Sequence, residues 1–204
     1  MKEITINEKT YKVPETLHEL TLKDYCRIFK GVKFDKTMEW KDIKYSEATL
    51  ISRILGEDDN FALSLPLAVY NYLCETCTFL YDVNRVKHNA TIELNGVKYT
   101  IPKPEEFNLR KWIDVDVTRQ SEDPDMFVQL YAILIDPIGE DGKCKPYNGG
   151  YEERIPLLEN YPADEAMSMI NDFFAKGESS QRVTDAYSKA EEAIERFVHN
   201  TKSS

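Results

Sequence analysis

Thiols, imidazoles and carboxylates are the groups from which metal sites, nucleophiles and acid–base pairs are built, and their spacing along this 204-residue chain tests each chemistry in turn. Cys74-Glu75-Thr76-Cys77 has the separation of half a zinc site or of a dithiol redox pair. Tetrahedral zinc needs two further ligands, and neither a second CxxC nor a nearby His pair supplies them. A redox pair needs its first thiol at a helix N-terminus, where the thiolate is stabilised; here about two helical turns of amphipathic sequence precede Cys74. Both residues are therefore expected to be packed core thiols. With only Cys26 and Cys144 besides, the chain fits a reducing compartment better than a disulfide framework.

Acids and histidines are no better arranged. Glu57-Asp58-Asp59 follows the end of a helical pattern, where acids oppose the helix dipole, and reads as a solvated turn. Asp136 to Gly142 places acids beside glycine without the alternate oxygen ligands and closing Glu of a calcium loop. His18, His88 and His199 fall in a loop, a connecting segment and a terminal helix, each apart from a Ser or Cys in a nucleophile setting. The phosphate cradles GxGxxG and GxxxxGK[ST] do not occur. Asn89-Ala90-Thr91 matches a glycosylation sequon, which without a secretion signal is an accident of composition. The residues thus predict no catalytic, cofactor or metal site, and a protein that is not an enzyme.

Charge and hydropathy narrow the partners. Lys and Arg number 26 against 36 Asp and Glu, a net charge of −10, and no basic run is placed to neutralise a row of phosphates, so no nucleic-acid partner is expected. No stretch approaches the roughly eighteen apolar residues of a membrane span. Met1 to Ile6 reads as a strand and lacks the apolar region of a leader, which points to a cytoplasm. At 42% hydrophobic and 11% aromatic, the chain can bury one good core or two small ones.

The elements that would position any site fall into two similar series. Ile4 to Pro14 aligns without a gap on Ile92 to Pro102, 88 residues later, with Ile, Asn, Tyr and Pro coincident. Each stretch alternates like a β-hairpin around a polar turn, Asn7-Glu8 or Asn95-Gly96, and closes on proline. Leu20 to Tyr25 and Phe107 to Trp112 follow at an offset of 87, with Thr21 and Asn108 as N-caps behind an apolar staple. An apolar helix comes next in each series: Ser46 to Leu55 closed by Gly56, and Pro124 to Ile135 closed by Asp136-Pro137, with Ser46 and Asp123 as caps. Pro66 then opens a helix carrying Leu67, Tyr70, Leu73, Cys74, Cys77, Leu80 and Tyr81. Pro162 opens one carrying Ala166, Met167, Ile170, Phe173 and Phe174 before Gly177. Two loops differ: Gly31 to Tyr45 is long and mixed in charge, and Ile138 to Tyr151 is glycine-rich, either a short hairpin or a contact loop.

The predicted fold is α+β, with two diverged repeats, each a hairpin and about three helices, packed into one body. Repeat 1 covers 1–86, repeat 2 covers 87–178, and the boundary lies near Val86 to Asn89. Beyond a linker-like break at 176–181, residues 182–199 read as an amphipathic helix. Val183, Tyr187, Ala190, Ile194, Phe197 and Val198 form its apolar stripe and are the candidate partner-binding residues. This helix either folds back on the core or docks on a neighbouring subunit.

Tyr99 to Pro102, Asn108 to Trp112, Tyr131 to Pro137 and Asp172-Phe173-Phe174 carry a resemblance to small structural or assembly proteins of tailed bacteriophages, chiefly the Bacteroidetes-infecting phages that include the crAss-like group. The likeness covers the second half of the chain and reaches the first only through the repeat. It implies a many-copy virion component of a ring, head–tail connector, portal or tail region or of the particle interior, binding its own copies and other virion or assembly proteins, located in the virion or the bacterial host cytoplasm. Alternatives are a tail-assembly chaperone not retained in the virion, and an acidic adaptor or regulator that binds a host protein.

Overall fold

Alternating side chains build the first hairpin. The computed structural model describes residues 1–32, 38–80, 91–121 and 123–178; in it β1 (Lys2–Ile6) pairs antiparallel with β2 (Lys9–Val13), Ile4 opposite Tyr11. Ile4, Ile6, Tyr11 and Val13 face the core while Glu3, Thr5, Thr10 and Lys12 face water. Asn7 (φ 49°) and Glu8 (φ 67°) both take left-handed backbone, as a type I′ turn requires. β3 (Thr91–Leu94) and β4 (Val97–Thr100) have the same register, Ile92 opposite Tyr99, around Asn95 (φ 50°) and Gly96 (φ 78°).

Helices α1 (Leu22–Phe29), α2 (Trp40–Ile54) and α3 (Leu67–Thr76) follow the first hairpin. After the second come α4 (Leu109–Arg119), α5 (Met126–Leu134), α6 (Ile155–Leu158) and α7 (Ala163–Glu178). The protein is therefore α+β, with seven α-helices and two small antiparallel sheets among the described residues. No helix among them is long and apolar enough to cross a membrane.

The two helix starts are built alike. A 3-10 turn precedes each, Leu17–Glu19 and Pro104–Glu106. Thr21 Oγ1 accepts from the Asp24 N–H at 3.0 Å, and Asn108 Oδ1 accepts from the Lys111 N–H at 2.9 Å. Each cap satisfies a backbone donor that the helix itself leaves unpaired. Asn108 also donates through Nδ2 to the Tyr147 carbonyl at 2.7 Å, tying α4 to a distant loop. Thr21→Ala is expected to cost about 1 kcal/mol and Asn108→Ala somewhat more, up to about 2 kcal/mol, in urea unfolding. Equal losses would show that the bond to Tyr147 contributes nothing.

Several sequence expectations need correction. α2 starts at Trp40, inside the stretch expected to be a loop, so Ser46 lies within the helix and does not cap it. Asp42 in its first turn suits the positive end of the dipole, and Lys44 pairs with Glu47 at (i, i+3), so mixed charge here marks the solvent side of a helix. Gly56 (φ 71°) does close it: Glu57 N–H reaches Ser52 O at 2.9 Å and Gly56 N–H reaches Arg53 O at 3.2 Å, a Schellman pair. α5 starts at Met126 with Asp125 at its cap position. Asp123, the expected cap, lies further upstream, where its Oδ1 accepts from the Asp125 N–H at 2.8 Å. Asp136-Pro137 does end α5, but the same two residues form β5 (Asp136–Pro137), a third strand against β4. His18 sits in a 3-10 turn instead of a loop, and Gly177 falls within α7. Ile138 bridges Cys144 and Gly139 N–H donates to Lys143 O at 2.8 Å, so the glycine-rich segment contains a short hairpin-like turn. The expected boundary near Val86 to Asn89, and 182–199, lie outside the described residues.

One core cluster takes side chains from both halves of the chain. Leu22 N–H donates to Tyr161 O at 2.8 Å and Ala163 N–H to Leu20 O at 2.9 Å, so the starts of α1 and α7 are stitched backbone to backbone. Tyr25 of α1 stacks on Phe29 at 4.4 Å and meets Phe127 of α5 edge-on at 5.5 Å. α5, whose residues Leu130 to Leu134 are all buried, touches α1, α4, α6 and α7.

Candidate functional site

Helix α4 inverts the usual rule for a surface helix. Lys111, Val115 and Thr118 are buried, while Leu109, Ile113 and Val117 are 50%, 44% and 65% exposed. At 3.6 residues per turn, positions 109, 113 and 117 form one row, and 111, 115 and 118 lie on the opposite side. A lysine therefore points into the protein and three aliphatics point out of it.

The buried lysine has a structural reason. α5 ends inside the core, so its last carbonyls have no water to bond and must find buried donors. Lys111 Nζ donates to Leu134 O at 2.9 Å, and Arg154 donates to Ala132 O at 2.9 Å and to Ile135 O. Asp136 supplies the counter-charge, its Oδ2 2.7 Å from Lys111 Nζ and its Oδ1 3.9 Å from Arg154. The Phe107 ring lies 4.4 Å from Nζ and covers the remaining direction. Asp136 Oδ1 is the one buried side-chain oxygen or nitrogen without a hydrogen-bond partner among the described residues.

Burial pushes the Lys111 ammonium down to about 8, with the attraction of Asp136 opposing it. Burial also raises the Asp136 carboxyl, against Lys111 and then Arg154. A lysine at that value would suit amine chemistry if substrate could reach it. Here Lys111 is 1% exposed, two of its donors are held by Leu134 and Asp136, and an aromatic face closes the third side. The cluster terminates a helix. Tyr147 completes the same scaffold: its hydroxyl donates to Asp114 Oδ2 at 2.7 Å and strips the glycine-rich loop against α4. There Gly149 lies so near the Arg110 guanidinium that an added Cβ would sit 2.4 Å from it.

Several other chemistry-bearing residues among those described are also held by the fold. Cys77 is buried and Cys74 half-buried beside a cavity of about 310 Å³ that Lys44, Glu47 and Leu50 help to line. Burial pushes the Cys77 thiol up to about 12 and raises Cys74, the reverse of what a dithiol nucleophile needs. Glu57 accepts from the Tyr11 hydroxyl at 2.8 Å and pairs with Lys9, which holds its carboxyl below the usual range. Asp59 binds Arg53 through two bonds of 2.7 and 2.8 Å, so this acid run is the solvated turn expected, with Glu57 and Asp59 tied by surface ion pairs to β2 and α2. His18 Nδ1 lies 3.2 Å from Asp164 Oδ2, bridging the first 3-10 turn to α7. No group of three or more His, Cys, Asp or Glu is placed to hold a metal among the described residues. A second cavity, of about 600 Å³, separates the ends of α1, α4 and α5 and is lined by Cys26, Phe29, Val32, Arg119, Met126 and Phe127.

The six candidate partner-binding residues, Val183, Tyr187, Ala190, Ile194, Phe197 and Val198, lie outside the described residues, as do His88 and His199. The outward row on α4 was missed. Its signal was present in the four-residue spacing of Leu109, Ile113 and Val117, hidden because Trp112 and Val115 make the helix apolar on its other sides too. No protein-family model, curated protein or solved structure matches the chain.

Proposed function

We propose that this chain is a non-enzymatic structural or assembly protein of a tailed bacteriophage, a many-copy virion component of the portal, connector or tail region or of the particle interior that works by protein–protein contact. The observation that carries this reading is the row Leu109, Ile113 and Val117 on α4. Scattered exposed leucines are ordinary, but aliphatics at (i, i+4, i+8) on a helix whose opposite face buries a lysine form an organised surface. Such a row is what one helix presents to the groove of a partner.

The chain is also read as two diverged copies of one unit, 1–86 and 87–178, followed by a terminal segment, 182–199. Supporting this are the shared hairpin register, the shared turn backbone and the 3-10 turn with capped helix recurring 87 residues on. Two related units give a chain two related but unequal faces, the geometry from which head-to-tail rings are made. The resemblance carried by Tyr99 to Pro102 and Asn108 to Trp112 supports reading such a ring as part of a phage particle.

The test is quantitative mass spectrometry of gradient-purified particles from the virus that carries this sequence. A fixed count of many copies per particle is expected. Absence from particles with retained binding to a tail protein would favour the assembly chaperone, and salt-sensitive binding to a host protein would favour the acidic adaptor. A stable monomer that binds neither overturns all three readings.

A further inference from the structure

We infer that copies of this chain join head to tail, the start of α4 on one copy seated against the start of α3 on the next. The inference deepens the proposed function and rests on its reading of the α4 row as a contact surface. The chain already makes this kind of joint once, within itself.

Thr21 and Pro162 form an antiparallel bridge, in which Leu22 N–H donates to Tyr161 O at 2.8 Å and Ala163 N–H to Leu20 O at 2.9 Å. Each bridging residue stands immediately before its helix, α1 or α7, and the first residues of those helices, Leu22 and Ala163, are fully buried. Asn108 and Pro66 are the matching residues before α4 and α3. Thr21 (φ −77°, ψ 160°) and Asn108 (φ −79°, ψ 166°) have the same extended backbone, and each side-chain oxygen caps the residue three further on. Proline precedes α3 as it precedes α7, and Leu65 ahead of Pro66 is extended.

The second joint is not made within the chain. Among the described residues no bridge links Asn108 to Pro66, and Leu109 N–H, Phe107 O, Leu67 N–H and Leu65 O make no backbone hydrogen bond. Residues 66–68 and 108–110 are exposed. Leu109 and Leu67, standing where Leu22 and Ala163 are fully buried, are 50% and 72% exposed. Apolar surface continues from both points, through Ile113 and Val117 along α4 and through Leu63 and Tyr72 beside Leu67, while α3 buries only Leu73. The backbone groups and the leucines that close one joint are thus present and open at the other.

Size selects a second copy, joined head to tail, over a contact of either patch with itself. Three partly exposed side chains on either helix fall short of the roughly 800 Å² per partner that a standard complex of two folded bodies buries. A two-fold contact of α4 on itself uses one such patch per chain and leaves Leu63, Leu67 and Tyr72 in water. A head-to-tail contact covers both patches on every chain. Where the rotation closes into a ring, each chain is held at two joints and must break both to leave.

The experiment makes Leu67→Glu and Leu109→Glu separately in the full chain and follows sedimentation velocity and circular dichroism. Both sites are exposed first residues of helices, where a carboxylate suits the positive end of the dipole, so the fold is expected to be unchanged. Wild type should sediment as a species larger than a dimer and each variant alone as a monomer. An equimolar mixture of the two variants should give a dimer and nothing larger, because one intact α4 and one intact α3 remain to meet. Leu67→Ser and Leu109→Ser, gentler changes at the same sites, should weaken association in the same direction. A Leu67→Glu chain that still dimerises would overturn the pairing in favour of a two-fold contact through α4. A wild type that stays monomeric at every soluble concentration, or a mixture that stays monomeric, would overturn the contact itself. Particle composition is read separately, so a chain found in particles whose variants sediment as wild type does defeats this contact alone, and a chain that assembles in solution but is absent from particles defeats the phage reading alone.

Discussion

Lys111→Met alone is expected to lower the unfolding free energy by about 3–5 kcal/mol, because it leaves Asp136 charged and buried with only Arg154 at 3.9 Å. Lys111→Met with Asp136→Asn should recover most of that loss. The pair would then be neutral, and the remaining deficit of about 1–2 kcal/mol would reflect the Leu134 carbonyl that loses its donor. Chemical denaturation of both variants checks this, and equal losses in the single and double variants would show that the charge pair does not explain the site. The pair also sets a pH dependence. Lys111 titrates near 8 when folded against 10.5 ordinarily, so between those values the unfolded chain holds a proton that the folded chain has released. Its contribution to stability therefore rises with pH across that window. Relative to the double variant, the wild type should gain stability between pH 8 and pH 10; a relative loss would mean that the ammonium stays favoured despite burial.

Leu134→Ala is expected to cost about 2–5 kcal/mol, since Leu134 is fully buried in the helix that α1, α4, α6 and α7 all touch. By contrast Leu109→Ala, Ile113→Ala and Val117→Ala should each change stability by only about 0.5 kcal/mol or less, as exposed sites do. The contrast separates apolar residues that hold the fold from apolar residues that the fold leaves exposed. Leu134→Ala should also shift one shared transition, because α5 joins the core contributed by both halves. Two separate transitions, with the first hairpin and α1 unaffected, would mean that the halves fold independently.

Much of the backbone was legible because the relevant signals are local. Ile4, Ile6, Tyr11 and Val13 declare a strand pair by alternation, and Asn95-Gly96 declares its turn by the left-handed backbone that this dipeptide accepts. Thr21 and Asn108 declare helix starts because a short side-chain oxygen followed by an apolar run has few other uses. What escaped depends on partners distant in sequence. Trp40 to Tyr45 looked like a loop because its charges are those of a solvent face, and Trp40 itself is 74% exposed. Asp136-Pro137 stops a helix on local grounds, and only the approach of Tyr99 and Thr100 makes it a strand. Lysine is almost always assigned to water, so nothing in the residues near Lys111 announced that α5 ends in the core and needs a buried donor. The outward row of α4 followed from the same ignorance: once Lys111 is known to point inward, Leu109, Ile113 and Val117 must point outward.

The central claim is that this row is the contact surface of a many-copy component. It is tested most directly by supplying wild type and the triple variant Leu109→Ser, Ile113→Ser and Val117→Ser together and measuring their ratio in purified particles by mass spectrometry. At least tenfold depletion of the variant, at equal soluble levels and equal melting temperature, is the expected result. Equal incorporation of the two proteins would contradict it.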